Sequence, residues 1–452
     1  MIKSINPTTG QTMKQYSYMD KNQVDQAISQ AQQAFHERKQ TTFQYRAGLF
    51  HKLAEIMDAN FEELAKLNTL EMWMLFKDAQ WDVKKSAVNV RFFADNAERL
   101  LADKPFDEWW LKGKIVYEPL GVLFSVSPWN YPFNQVLRNA VPNIMAGNVV
   151  LMKHASNVPQ VAEKIERLFQ QAGFPKWVYQ NMFLNYELTE YIISHPAVRW
   201  SNCTWSEKVW KEIGQFAWQY LKPSVLELWW SDSFILMHTD DVDKIIPFAI
   251  QWRFSNAWQK CNSSKRFIIL ESVYDEFCTK FAEAVSNLKV WDPMLADTKI
   301  WPLAKKNAVF GLDQQVQDSI KAGAKLLTGG KIIEWEWNFY TPTVIGDVKP
   351  WMRVFDEETF WPVAAVCKAK DIEDIIALAN NSVFGLWASI FGDDAEQKSY
   401  IASKLDVANV SINRIVTSYA FLPYGWIKNT GYGKELGEQW IKTFTNEKVI
   451  IY

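Results

Sequence analysis

The chain has 452 residues, 48% of them hydrophobic and 22% charged, with 49 basic and 51 acidic side chains giving a net charge of −2. This composition excludes disordered, collagen-like and low-complexity classes, and no basic excess or basic run points to a nucleic-acid partner. Four cysteines are too few for a disulfide framework, MIKSINPTTG lacks a secretion-signal pattern, and apolar stretches such as AVPNIMAGNVVLM are broken well short of membrane-spanning length, so a cytoplasmic protein with no membrane partner is expected.

Residues 1–12 read as extended, with NPTTG as a turn. Helical spacing begins at the cap candidate Asp20, continues through Val24, Ile28 and Ala31, recurs from Phe43 to Ala65, and ends near Leu101. KGKIVYEPLG at 112–121 predicts a strand in a hairpin. GVLFSVSPWN, PFNQVLRNAVPNIMAG and NVVLMKHAS then predict strand, helix and strand. The alternation continues with a helix to Ala172, WVYQNMFL as a strand and LTEYIISH as a helix. It recurs in SSKRFIILESVYDEFCTKFAEAVSNLKV and AAVCKAKDIEDIIALANN, and KTFTNEKVIIY reads as a last strand. Such alternation predicts an α/β fold with parallel sheets covered by helices.

Cys203, Cys278 and Cys367 sit in apolar or amphipathic surroundings and read as small buried hydrophobes. Cys261, in the polar segment SNAWQKCNSSKR, is either a plain exposed cysteine or a thiolate activated near Lys265 and Arg266. Glu227, in VLELWWSD, is either a strand-end carboxylate facing solvent or a general base whose pKa burial raises. The Asn130 amide in SPWNYP suits an oxyanion or a turn. Lys153 and Ser156 follow a predicted strand, where α/β sheets face their ligands. No G-x-G-x-x-G fingerprint and no metal-site spacing is present.

Taken in order, SPWNYPF, AGNVVLMKHASNVPQ, LKPSVLELWWSD, NAWQKCNSSKRF, DEETFWPV, NNSVFGLWAS and YGWIKNTGYGKELG resemble the aldehyde dehydrogenase superfamily over effectively the whole chain. KHASNVPQ and GYGKELGEQ resemble its NADP-dependent succinate-semialdehyde dehydrogenase branch. The resemblance implies a Rossmann-type cofactor domain over 1–105 and 122–228, an α/β catalytic domain over 229–429, and oligomerisation strands in 106–121 and 430–452. A homodimer or homotetramer follows from it. Cys261 would be the nucleophile, Asn130 an oxyanion donor and Glu227 the base that activates water to release the acid. Trp129, Lys153, Ser156, Ser206, Glu358 and Phe360 would line the cofactor. Ser156 stands where NAD-preferring relatives carry a glutamate, and a hydroxyl tolerates a 2′-phosphate that a carboxylate repels, so NADP is expected, with NAD as the alternative. The expected substrate is succinate semialdehyde, the alternatives being another aliphatic or aromatic aldehyde; no metal is expected.

One departure stands out: the chain holds 23 Trp and 18 Gly. Trp205, Trp229, Trp230, Trp258, Trp361, Trp387 and Trp426 stand where the family carries glycine, as do Trp73, Trp177, Trp291, Trp301 and Trp351. Glycine at such turns supplies positive φ or close backbone approach, which tryptophan does not. Overpacking costs about 1–3 kcal/mol per site, so a dozen sites would exceed a typical stability of about 5–15 kcal/mol. Two readings remain open. The tryptophans are real and the chain is a non-catalytic descendant with aromatic binding surfaces, or they mark UGA codons, which some bacteria read as glycine.

Overall fold

In the computed structural model the described residues are 1–6, 9–204, 207–227, 231–254, 263–295, 297–299, 306–333, 339–359 and 362–452. A hairpin of Ile2–Ile5 with Thr12–Tyr16 precedes four helices: α1 (Lys21–Arg38), α2 (Phe43–Ala59), α3 (Phe61–Met72) and α4 (Phe76–Leu100). Pro7 and Thr8 of the expected turn lie outside the described residues. Asp20 caps α1 through a reciprocal box with Gln23. The helical run from Phe43 is divided at Asn60, which caps the end of α2 and precedes α3, its amide donating to the Ile56 carbonyl at 2.7 Å.

Next come the hairpin β1 (Lys104–Glu108) and β2 (Leu111–Pro119), then β3 (Val122–Ser127), α5 (Pro132–Ala146), β4 (Val149–His154), α6 (Pro159–Gln171) and β5 (Tyr179–Asn181). β5 is shorter than the strand expected over WVYQNMFL. α7 (Thr189–Ser194), β6 (Val198–Thr204), α8 (Glu207–Gln219) and β7 (Ser224–Glu227) follow. A second series runs β8 (Asp232–Leu236), α9 (Ile246–Phe254), β9 (Ser264–Leu270), α10 (Glu271–Ser286), α11 (Lys306–Lys321), β10 (Lys325–Thr328), β11 (Thr343–Gly346), β12 (Val363–Ala369), α12 (Ile372–Asn380), β13 (Trp387–Phe391), α13 (Ala395–Lys404) and β14 (Asn409–Ile412). The chain closes with β15 (Gly431–Tyr432), α14 (Gly437–Thr443) and β16 (Thr445–Ile451).

The strands form two large sheets. The first has six strands in the order β15-β7-β6-β3-β4-β5, parallel except for β15. The second has seven, β10-β11-β12-β9-β8-β13-β14, parallel except for β10. A separate three-stranded antiparallel sheet joins β16, β2 and β1. The near-continuous apolar runs of β3 and β4 are buried on both faces, as parallel strands between helices must be. All fifteen residues of α5 are buried, with α4 and α14 packed against it. The predicted α/β class is therefore the observed one. Among the described residues no helix is long and apolar enough to cross a membrane.

Candidate active site

The parallel order of β3, β4, β6 and β7 brings their carboxyl ends to one edge of the first sheet, the edge at which such sheets meet their ligands. Four of the expected site residues lie in the segments that leave this edge. Asn130 follows β3 and is buried; Lys153 is the penultimate residue of β4; Ser156 is exposed in the loop after it; Glu227 is the last residue of β7. Trp129, half-buried, packs against the core beside Asn130. Ser206, Cys261 and Phe360 lie outside the described residues.

Glu227 does not face solvent: it is 1% exposed. β15 lies antiparallel over β7 with Gly431 opposite Glu227. A Cβ at Gly431, whose φ is +122°, would meet the Leu226 carbonyl at 2.0 Å, so only glycine permits this cover. One carboxylate oxygen of Glu227 accepts from Arg138 Nη2 at 3.1 Å; the other, Oε1, has no hydrogen-bond partner among the described residues. Burial pushes the Glu227 carboxyl above the usual range, and the adjacent guanidinium opposes that rise. Arg138 also forms an ion pair with Glu435 and lies over the Tyr424 ring at 5.2 Å. One buried cation thus serves two buried carboxylates.

Asn130 is placed by the start of α5. The backbone amides of Phe133 and Asn134 donate to Asp82 of α4, both at 3.2 Å, and Asn68 donates to the same carboxylate at 3.0 Å. Burial drives Asp82 up to about 7 despite these bonds. The loop after β4 is held in the same way: Gln160 and Val161, at the start of α6, donate their amides to Glu71 of α3 at 2.9 Å. Burial lowers the Lys153 ammonium below its usual range. His154 accepts the Ala155 amide at 2.9 Å, and burial pushes it down to about 4, so it is neutral.

On the second sheet, the strand starts hold a further buried charge cluster. Lys265 Nζ stands 3.8 Å from Glu358 Oε1. Arg253 donates to the carbonyl and hydroxyl of Thr359 at 3.0 and 3.1 Å, fixing the segment that carries Glu358. Asp232 accepts the Trp387 amide at 3.2 Å, and burial raises it to about 7 while Lys265 opposes. Cys203, Cys278 and Cys367 are buried and unbridged, each thiol pushed up to about 12 by burial, which leaves them inert at neutral pH.

A groove of about 1030 Å³ between α4, α9 and α10 leads toward this region. It shares Trp81, Tyr131, Val416 and Thr417 with an inner cavity of about 50 Å³, which adds Lys85, Arg138 and Ser418. Lys85 donates to the carbonyl and hydroxyl of Ser418 at 2.8 and 2.9 Å. Sequence reasoning missed Arg138, Glu435, Asp82 and Lys85. For Arg138 a signal existed: the lone charge in the helical segment NQVLRNAVPN.

The aldehyde dehydrogenase family model matches residues 1–450. The chain belongs to the aldehyde dehydrogenase family. It is 40% identical over 458 residues to a succinate-semialdehyde dehydrogenase [NADP(+)] 1 of Mycobacterium ulcerans, covering 99% of each chain. It is 37% identical over 447 residues to a succinate-semialdehyde dehydrogenase [NADP(+)] of Deinococcus radiodurans, covering 99% of this chain and 94% of that one. Among solved structures, the succinic semialdehyde dehydrogenase of Streptococcus pyogenes in complex with NADP+ superposes with a TM-score of 0.97 at 30% identity, over 100% of this chain and 99% of that one. As a family member, the protein is an NAD(P)-dependent aldehyde dehydrogenase, and its two-sheet architecture is the family's.

Proposed function

We propose that this aldehyde dehydrogenase oxidises succinate semialdehyde to succinate with NADP+, in the cytoplasm. The observation that carries the substrate is the polar end of the groove and its inner cavity, where Lys85 and the hydroxyls of Thr417 and Ser418 suit the carboxylate tail of a short semialdehyde, while Arg138, which also lines the inner cavity, is held by Glu227 and Glu435. The names of the Mycobacterium ulcerans and Deinococcus radiodurans relatives support the same reading.

In this reading Cys261 attacks the aldehyde carbon through sulfur, and the carbonyl oxygen becomes an oxyanion held by the Asn130 amide and the Cys261 backbone N–H. NADP+, which Lys153, Ser156 and Glu358 would hold, would supply the acceptor for the hydride that leaves that carbon, so that Cys261 would be left carrying a thioester. Glu227 then removes a proton from water, whose oxygen attacks the thioester and releases the acid and the thiol. Its Oε1, which has no hydrogen-bond partner among the described residues, is the atom to accept that proton. The residues at the sheet edge suit NADP: Lys153 and Ser156 offer a cation and a hydroxyl with no carboxylate at 156. Trp129, Ser206, Glu358 and Phe360 complete the cofactor's surroundings in this proposal.

The accompanying division of the chain is 1–105 and 122–228 for the cofactor, 229–429 for catalysis, and 106–121 with 430–452 for assembly into a homodimer or homotetramer. The three-stranded sheet of β16, β2 and β1, set apart from the two large ones, supports the last assignment.

The test is NADPH formation by the native gene product with succinate semialdehyde and a panel of uncharged aldehydes. Highest kcat/KM for the semialdehyde, loss of activity in Cys261→Ser, and a shift of preference from NADP+ toward NAD+ in Ser156→Glu are expected. A preference for uncharged aldehydes would reject the substrate, and full activity in Cys261→Ser would reject the mechanism.

A further inference from the structure

Among the described residues, nine non-glycine positions have positive φ, and four are tryptophan: Trp73 (68°), Trp109 (60°), Trp177 (66°) and Trp351 (76°). Bulky aromatic residues rarely adopt this region, whereas 11 of the 18 glycines here do. Each of the four occupies a turn position that calls for glycine. Trp73 is the left-handed residue that ends α3, its N–H donating to the Thr69 carbonyl at 2.9 Å. Trp109 is the first of two residues joining β1 to β2, between the paired Glu108 and Leu111, and positive φ at that position is the glycine slot of a II′ hairpin.

Trp351 is third in the turn Lys349-Pro350-Trp351-Met352, closed by Met352 N donating to the Lys349 carbonyl at 3.2 Å. Proline second with positive φ third is the Pro-Gly pattern of a type II turn. Trp177 takes the same third position in the turn from Pro175 to Val178, whose ends bond at 3.5 Å. Nor does burial account for the indoles as a group: Trp109 is 95% and Trp351 64% exposed.

We infer that Trp73, Trp109, Trp177 and Trp351 are glycine in the protein that the gene specifies, each codon being UGA read as glycine. Backbone geometry and composition carry this, independently of the substrate proposed above. The same codon is then expected at Trp205, Trp229, Trp258 and Trp361, which lie outside the described residues. In sequence they lie within three residues of Ser206, Glu227, Cys261 and Phe360, so glycine rather than indole stands near the reactive residues. The excess of tryptophan thereby stops being evidence for a non-catalytic descendant.

Three measurements test it. The coding DNA is expected to carry UGA at all four positions, and UGG at any of them overturns the assignment there. Peptide mass spectrometry of the protein from its own source is expected to show glycine, and tryptophan-bearing peptides overturn it. In the chain expressed with tryptophan, Trp109→Gly with Trp351→Gly is expected to raise the thermal midpoint by a few degrees, while the paired alanine variants, which keep a Cβ at positive φ, rise less. Equal gains from alanine and glycine would remove the backbone argument. A stable glycine-bearing protein that ignores succinate semialdehyde would reject the proposed function and leave this inference standing.

Discussion

In the proposed mechanism Glu227 would owe its value as a base to a contest between two influences of opposite sign. Burial favours its neutral form and Arg138 favours its charged form, with burial the larger, so the carboxyl titrates above the usual range. Because only the ionised form can take a proton from water, kcat is expected to fall on the acid side at a pH higher than an ordinary carboxylate would give. Glu435→Gln leaves the guanidinium to Glu227 alone and is expected to move that acid limb to lower pH. Arg138→Lys, which keeps a cation there, should move it less than Arg138→Met, which should move it upward. The methionine variant also strands two buried carboxylates, at a cost of about 3–5 kcal/mol. Measured pH–kcat profiles check all three, and coincident profiles would reject the electrostatic account. Arg138 was not assigned from sequence because its meaning depends on Glu227 and Glu435, both far away in the chain. Glu227 itself stood out as a charge in an apolar run, but only the cover strand decides between solvent and burial.

At the level of elements, two carboxylates on the helical N-terminal region each cap a helix that leaves the ligand edge of the first sheet. Asp82 satisfies two amides at the start of α5, and Glu71 satisfies two at the start of α6. Free amides at a helix start carry partial positive charge, so a carboxylate there is favourable on both hydrogen-bonding and dipole grounds. Losing either cap is expected to cost about 1–3 kcal/mol. The kinetic consequences should differ. Asp82→Ala loosens the segment after Asn130 and is expected to lower kcat, whereas Glu71→Ala loosens the loop carrying Ser156 and is expected to raise the KM for NADP+. Steady-state kinetics with each variant would show the split; identical effects would mean that the caps act only on global stability. The helices and strands themselves were largely legible, because 3.6-residue spacing and short apolar runs reflect which faces are buried. The break at Asn60 was not, since apolar spacing continues across it and a single side-chain bond to Ile56 ends the helix. The caps were equally invisible, being contacts between elements.

Of the three sheets with three or more strands among the described residues, the two large ones are covered and the three-stranded one is exposed. In the three-stranded sheet, β16 pairs with β2 on one side and leaves its other edge unpaired among the described residues, with Val449 56% and Ile451 58% exposed. An apolar edge strand of this kind invites pairing with another copy. Val449→Glu with Ile451→Glu is expected to shift the protein toward monomer in light scattering coupled to size-exclusion chromatography, and an unchanged mass would place the assembly surface elsewhere. The α/β class followed from alternation along the chain, and strand ends gathered Asn130, Lys153, Ser156 and Glu227 on one edge as parallel topology requires. What alternation cannot convey is that β15 and β7 are neighbours although the entire seven-stranded sheet lies between them in the chain. That arrangement is expected to make the first sheet's last pairing a late event in folding, because the closing of so long a loop must await compaction of what it encloses. Glu227 is then expected to stay open to water until both sheets have formed, so that the burial that raises its carboxyl is complete only in a chain that has folded throughout.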